Sequence, residues 1–286
     1  MISDITLGQF FPGNSVIHKL DPRTKIILAT LFIVAIFSAN NPVAFATLLV
    51  VTFLLVCISR ISAKVILKSI KPIVAIIIFT ALINIFMTAG EGDPLLSWWI
   101  IKIYPEGIAR AVLMVVRVIV LIIGTSILLT YTTSPISLTD GIEALLSPFK
   151  KIGLPVHTFA MMMSIALRFI PTLIEETEKI MNAQKSRGAD FTSGSLIQRA
   201  KALIPILIPL FVSSFKRAEE LATAMECRCY RGDNNRTKLV KLQYRGRDIL
   251  FISLFILLAA AMITLIFFTD KLASFGLVWS ILFYKV

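Results

Sequence analysis

The sequence predicts an all-α polytopic membrane protein, with about five to six transmembrane helices and long amphipathic helices at the cytoplasmic face that end in arginine. Three observations predict it. Hydrophobic residues fill 57% of the 286 positions and charged residues only 16%, with a mean hydropathy of +0.85; a soluble domain is roughly 45–50% apolar and about 25% charged. The apolar residues gather into long runs. Lys+Arg number 29 against Asp+Glu 17, a net charge of +12, and the excess falls in loops. That placement points to basic cytoplasmic loops rather than to nucleic acid.

The first residues contain Asp4 and run into Phe10-Phe11-Pro12-Gly13. They have no basic region and no small-residue cleavage site, so no cleavable signal is expected there. The first two apolar runs are Ile26 to Ala39 and Val43 to Cys57, on either side of Asn40-Asn41-Pro42. Each is short for a span of roughly 17–25 residues, but together they suit a tight helical hairpin with Pro42 opening the second helix. Longer runs follow at Ile73 to Ala89, Ala111 to Thr130 and Ile249 to Thr269, with a short one at Ala273 to Tyr284.

Loop charges set the orientation. Arg60, Lys64, Lys68 and Lys71 stand between the second and third runs with no acid among them. Glu91, Asp93 and Glu106 stand between the third and fourth with one base, Lys102. The first loop therefore reads as cytoplasmic and the second as external, which places the amino terminus inside. Trp98-Trp99 suits an aromatic anchor at the external interface. The resulting organisation is amino-terminal helices over 1–130, a cytoplasmic-side region over 131–247 and a carboxy-terminal membrane segment over 248–286.

The middle region is the unusual one. From Lys150 to Arg247 it holds 17 Lys/Arg and 8 Asp/Glu. Apolar stretches such as Phe159 to Leu167 and Ala202 to Phe215 interrupt the charge, as in amphipathic helices lying on or partly in the cytoplasmic face. Pro171 is placed to open a helix with Glu175, Glu176 and Glu178 in its early turns. That helix would bury Leu173, Ile174, Ile180 and Met181 and stop at Ser186-Arg187-Gly188, with the glycine as cap. A second helix repeats the grammar. Ile208-Pro209 precedes an apolar run, then Glu219-Glu220, then Cys227-Arg228-Cys229, with Gly232 shortly after.

Several chemistries are disfavoured. The chain contains no GxxxxGK[ST] loop and no HExxH or GxSxG. Two histidines and three cysteines make neither a metal centre nor a disulfide framework. Cys227 and Cys229 supply only a CxC, read as packing. No catalytic residue and no metal ligand is assigned. The apolar runs contain no Asp, Glu or His, whereas an ion-coupled carrier needs such a group near midplane. Any energy for transport comes from elsewhere. Arg117 is the charge inside a run, and it reads either as a contact with another membrane subunit or as an internal polar contact. Met161, Met162 and Met163 read either as an adaptable contact surface or as packing.

An arginine at a helix terminus complements the carbonyl-rich end. It also offers a planar fork to a partner carboxylate. For two matched helices in a membrane protein without a motor, docking is the better reading.

Taken in order, Ser15-Val16-Ile17-His18-Lys19-Leu20-Asp21-Pro22-Arg23-Thr24-Lys25, Leu167-Arg168-Phe169-Ile170-Pro171, Ser186-Arg187-Gly188 and Ala224-Met225-Glu226-Cys227-Arg228-Cys229-Tyr230-Arg231-Gly232 resemble the transmembrane T component of energy-coupling factor transporters, the CbiQ/EcfT family. Ser186 departs from the family's usual alanine. The resemblance covers nearly the whole length. It implies two cytoplasmic ATP-binding A components, which bind ATP and Mg, so this chain is a non-catalytic subunit without a cofactor of its own. It implies a membrane-embedded S component that captures a vitamin or another micronutrient. ATPase coupling would fall to Ser186, Arg187, Gly188, Cys227, Arg228 and Cys229. Contact with the S component would fall to Met161, Met162, Met163 and Arg117. The location implied is the cell membrane, with the coupling region cytoplasmic. The rival reading is a basic membrane scaffold that transports nothing.

Overall fold

The computed structural model describes residues 10–39, 42–88, 96–98, 101–189, 191, 195–230, 232 and 242–274. They fall into two compact units, one drawn from 9–141 and 242–286 and the other from 142–241.

In the first unit, α1 (Pro22–Ser38) starts on an Asp21 cap whose carboxylate accepts from the Arg23 N–H, with Pro22 preset for the first turn. The second helix, α2 (Pro42–Ser59), opens at Pro42 as the sequence predicts. A short amphipathic helix, α3 (Ala63–Ile70), passes through a single tighter turn at Lys71–Ile73 into α4 (Val74–Met87). Pro72 accounts for that turn, because its nitrogen cannot donate. A two-stranded ribbon follows, β1 (Leu96–Trp98) against β2 (Ile101–Ile103), pairing Leu96 with Ile103 and Trp98 with Ile101. The sequence gives no warning of it. Next comes α5 (Pro105–Thr125), which widens into a π-type segment over Ser126–Tyr131. The unit closes with α9 (Gly246–Ser274).

The hub is α5, which touches α1, α2, α3 and α4, while α1 also lies along α9. Their shared core includes Ile17, Leu28, Phe32, Ile36, Leu48 and Ile127. Phe32 seats on Gly124, where an added Cβ would stand 1.9 Å from the ring. Lipid tails are as apolar as these side chains, so helix contact rests on close packing and polar links rather than on escape from water.

The chain passes along α6 (Pro135–Leu146), and the second unit is dominated by α7 (Val156–Ser186, 31 residues) and α8 (Leu196–Cys227, 32 residues). Ser195 caps α8 in a reciprocal box: its hydroxyl accepts from the Gln198 N–H, and the Gln198 side chain accepts from the Ser195 N–H. Pro171 does not open a helix. It lies inside α7, which begins 15 residues earlier, just as Pro205 and Pro209 lie inside α8. The apolar half and the charged half share one helical period, so each proline forfeits a backbone hydrogen bond without ending the helix.

Among the described residues, five helical stretches are long and apolar enough to cross a membrane: 63–87, 105–131, 156–186, 197–227 and 246–264. The chain is a multi-pass membrane protein. The number agrees with the sequence reading but the membership differs, because α7 and α8 qualify and α1 and α2 are shorter. Of the five, α7 and α8 are the least apolar, because charged residues gather in the second half of each. The run from Ala273 to Tyr284 lies outside the described residues beyond Ser274, as do Trp99, Glu91 and Asp93.

Candidate functional site

Each long helix ends in the same backbone device. At the end of α7, the Gly188 N–H donates to the Lys185 carbonyl at 2.9 Å and the Ala189 N–H to that of Gln184 at 3.0 Å. At the end of α8, the Cys229 N–H donates to Glu226 at 2.8 Å and the Tyr230 N–H to Met225 at 3.0 Å. Both are Schellman caps, in which the residue after the cap turns left-handed so that the orphan carbonyls are satisfied. Gly188 takes that position at φ +87°, and Cys229 takes it at φ +56°. The capping residues are Arg187 and Arg228, with φ of −89° at both. Ser186 and Cys227 occupy the last helical position of each helix.

Both arginines are exposed. Among the described residues neither guanidinium has a side-chain partner, so both forks face outward with their donors unused. Cys227 and Cys229 are exposed and unbridged. They are not the half-buried packing residues the sequence reading made them; Cys229 is a cap residue in a conformation that normally goes to glycine. Gly232 also has positive φ, but it lies past the cap.

A half-buried carboxylate links the two helices. Glu176 accepts from the Ser213 hydroxyl and, at 2.7 Å, from Arg217 Nη2. Ile165, Phe169 and Leu173 of α7 share an apolar cavity of about 270 Å³ with Ala218, Leu221 and Met225 of α8. The register therefore runs in opposite directions along the pair, and Arg187 and Arg228 lie at opposite ends of it. From Glu176 to Arg187, and from Arg217 to Arg228, is eleven residues, about 16 Å of helix in each case.

The methionine run lies on the apolar half of α7. Met162 and Met163 are exposed at 54% and 40%, and Met161 is half-buried. Phe159 beside them and Phe211, Val212 and Phe215 on α8 are also exposed. Arg117 belongs to the other unit. Its Nη2 donates to the Ala39 carbonyl at 2.6 Å, where α1 ends, and its guanidinium lies over the Phe45 ring, 5.2 Å from the centroid.

The opening motif builds a polar junction that the sequence reading did not foresee. Asp248, only 1% exposed, accepts from the Asp21 N–H at 2.8 Å and the Arg245 N–H at 2.7 Å. Lys25 Nζ donates to the carbonyls of Thr132 at 2.7 Å and His18 at 3.2 Å. Burial lowers the Lys25 pKa to about 8, although the Asp248 and Asp21 carboxylates oppose the shift. His18 Nε2 faces the Phe11 carbonyl, which can only accept, so that nitrogen carries the proton and Nδ1 accepts from the Ser15 hydroxyl. Burial likewise lowers the His18 pKa and favours this neutral form. Arg23 donates to the Leu242 carbonyl and stacks on Tyr244. These residues tie the amino-terminal segment to Thr132 after α5 and to the start of α9. Those long-range partners are 107 to 227 positions away, which is why the motif alone did not disclose them.

The cobalt transport protein family, CbiQ, matches residues 13–239. The chain is also 54% identical over 248 residues to the energy-coupling factor transporter transmembrane protein of Clostridium kluyveri, covering 87% of this chain and 92% of the relative. The chain belongs to this CbiQ/EcfT family. Its similarity to the Acidaminococcus fermentans family member is 53% over 263 residues, and to that of Bacillus subtilis 49% over 260 residues; each covers 91% of this chain and 97% of the relative. The CbiQ match spans the opening motif, α7, α8 and both arginine tips.

Proposed function

We propose that this chain transmits ATP-driven movement from two cytoplasmic ATP-binding A components to a membrane-embedded S component, for uptake of a vitamin or another micronutrient. The observation that carries the reading is the matched pair of tips. Two helices fastened to each other at Glu176–Arg217 each end in a Schellman cap that presents an unpartnered arginine fork. Arg187 and Arg228 each dock into an acidic groove on one A component. Ser186, Gly188, Cys227 and Cys229 hold the forks at a fixed angle. A fork on a rigid cap loses little entropy on docking, which makes bidentate pairing with a carboxylate efficient.

The exposed apolar halves of α7 and α8 receive the S component, with Met161, Met162 and Met163 as an adaptable surface. ATP and Mg are held by the partners. Arg117 is the remaining residue expected at that contact, and its engagement with Ala39 and Phe45 leaves the methionine face as the principal platform.

The test is Arg187→Ala, Arg228→Ala and the double variant, with A-component retention and uptake measured beside S-component binding. Each lost contact is worth about 1.5–3 kcal/mol, and the double loss is greater because two anchors on one body reinforce each other. Lysine at either site rescues only in part. Binding of substrate to the S component stays near normal. Full uptake by a well-expressed double alanine variant would make the arginines ordinary caps and favour the scaffold reading.

A further inference from the structure

At the end of the first unit away from Asp248 lies a half-open cavity of about 410 Å³. It forms where α1 and α4 end, α2 begins and α5 is in its first half. Its lining is of two kinds. Arg110, Arg117, Asn84 and Thr88 are polar; Phe45, Leu113 and Met114 are apolar. Arg110 and Arg117 are seven residues apart on α5, which places them on one face about 10 Å apart along the axis.

Among the described residues, neither arginine meets a carboxylate. Arg117 uses Nη2 on the Ala39 carbonyl, while its Nε is buried without a hydrogen-bond partner. Arg110 is exposed, and among the described residues it has no ion-pair partner. Glu106 is the acid on α5, one turn from Arg110, yet it pairs with neither arginine and does not line the cavity. Two uncompensated guanidinium groups in one cavity call for an anion with several acceptor oxygens.

The surroundings specify which anion. Val112 on α5 is 56% exposed and Met87 at the end of α4 is 79% exposed, so the helices that form the cavity present apolar surface around it. A free inorganic anion has no use for Leu113 and Met114, whereas an amphiphile uses both halves of the lining. We infer that Arg110 and Arg117 bind the phosphate of an anionic phospholipid, whose acyl chain lies along Leu113 and Met114. The loop charges place this end of the helices in the external leaflet. The inference is independent of the coupling role of α7 and α8.

Arg110 is the residue to change, because it makes no contact that the fold requires. The full-length protein in neutral detergent is titrated with phosphatidylglycerol or phosphatidylcholine, and retained lipid is counted by native mass spectrometry. The expected result is about tenfold stronger retention of phosphatidylglycerol by the wild type. Arg110→Gln removes most of that preference and Arg110→Lys keeps part of it. Millimolar inorganic phosphate does not displace the lipid. Equal retention of the two lipids, or an unchanged preference in Arg110→Gln, overturns the assignment. Displacement by phosphate makes the cavity a simple anion pocket and also overturns it. Weaker S-component capture by Arg110→Gln with phosphatidylglycerol retention intact assigns the arginines to a protein contact instead.

Discussion

In the unit that carries α1, α5 and α9, Phe32, Leu28, Ile36 and Ile127 are fully enclosed; in the unit built on α7 and α8, Val156, Ala160 and Ile206 are the buried hydrophobic residues among those described. The first unit also buries a polar junction at Asp248, while the second joins its helices through a half-buried ion pair. One unit encloses a shared core of several helices. In the other, Phe159, Met162, Phe211 and Phe215 are exposed along the two long helices among the described residues, and apolar surface of that kind suits lipid or a protein partner. The difference teaches where the largest stability effects lie, in the enclosed contacts of the first unit.

One glycine tests that contrast most sharply. Gly124→Ala places a Cβ 1.9 Å from the Phe32 ring, and overpacking of that kind costs about 3 kcal/mol. The expected outcome is a large fall in the thermal unfolding midpoint of the purified protein. A midpoint within a degree or two of wild type would show that α1 and α5 separate freely and that the first unit is no tighter than the second.

Lys25 gives a smaller, pH-dependent effect. Its pKa falls from 10.5 to about 8 on folding. The unfolded chain thus holds this proton above pH 8 while the folded chain has released it, so stability rises with pH across that window. Between pH 8 and 9.5 the gain is about 1.5 kcal/mol. Comparing unfolding midpoints of wild type and Lys25→Met over this range isolates it. The wild type should gain on the variant as pH rises, and parallel curves would remove Lys25 from the buried junction.

The smallest effects belong to the tips, and they have opposite signs. Gly188→Ala meets no neighbour within 4 Å but must hold φ +87°, a cost of about 1 kcal/mol. Cys229→Gly relieves the same strain and should gain about 0.5–1 kcal/mol. Hydrogen exchange at the last turns of α7 and α8 reads both changes. Faster exchange after Cys229→Gly would mean that the cysteine side chain, not the backbone, holds that cap.

Local chemistry was legible in the sequence where its cause was local. Pro42 and the Asp21-Pro22 pair mark helix starts, and Ser186-Arg187-Gly188 marks a stop, because capping residues act within a few positions of themselves. Pro171 misled because a proline signals a break only when the flanking segments do not share a helical period. Cys229 was hidden because a left-handed residue is announced by glycine, and here glycine is absent from the position. Asp248 and Lys25 stand far apart in sequence, and only the folded chain joins their networks. The exposure of Arg187 and Arg228 followed from their place at helix ends; their opposite placement did not, since it depends on the register between α7 and α8.

That register has a mechanical consequence. The Glu176–Arg217 contact stands eleven residues from each tip, so the crossed helices form a lever with equal arms and the ion pair as fulcrum. A change of about 10° in the crossing angle sweeps each end of an arm about 16 Å long through about 3 Å. Because the two arms are equal in length, a given change in that angle displaces both tips by the same distance.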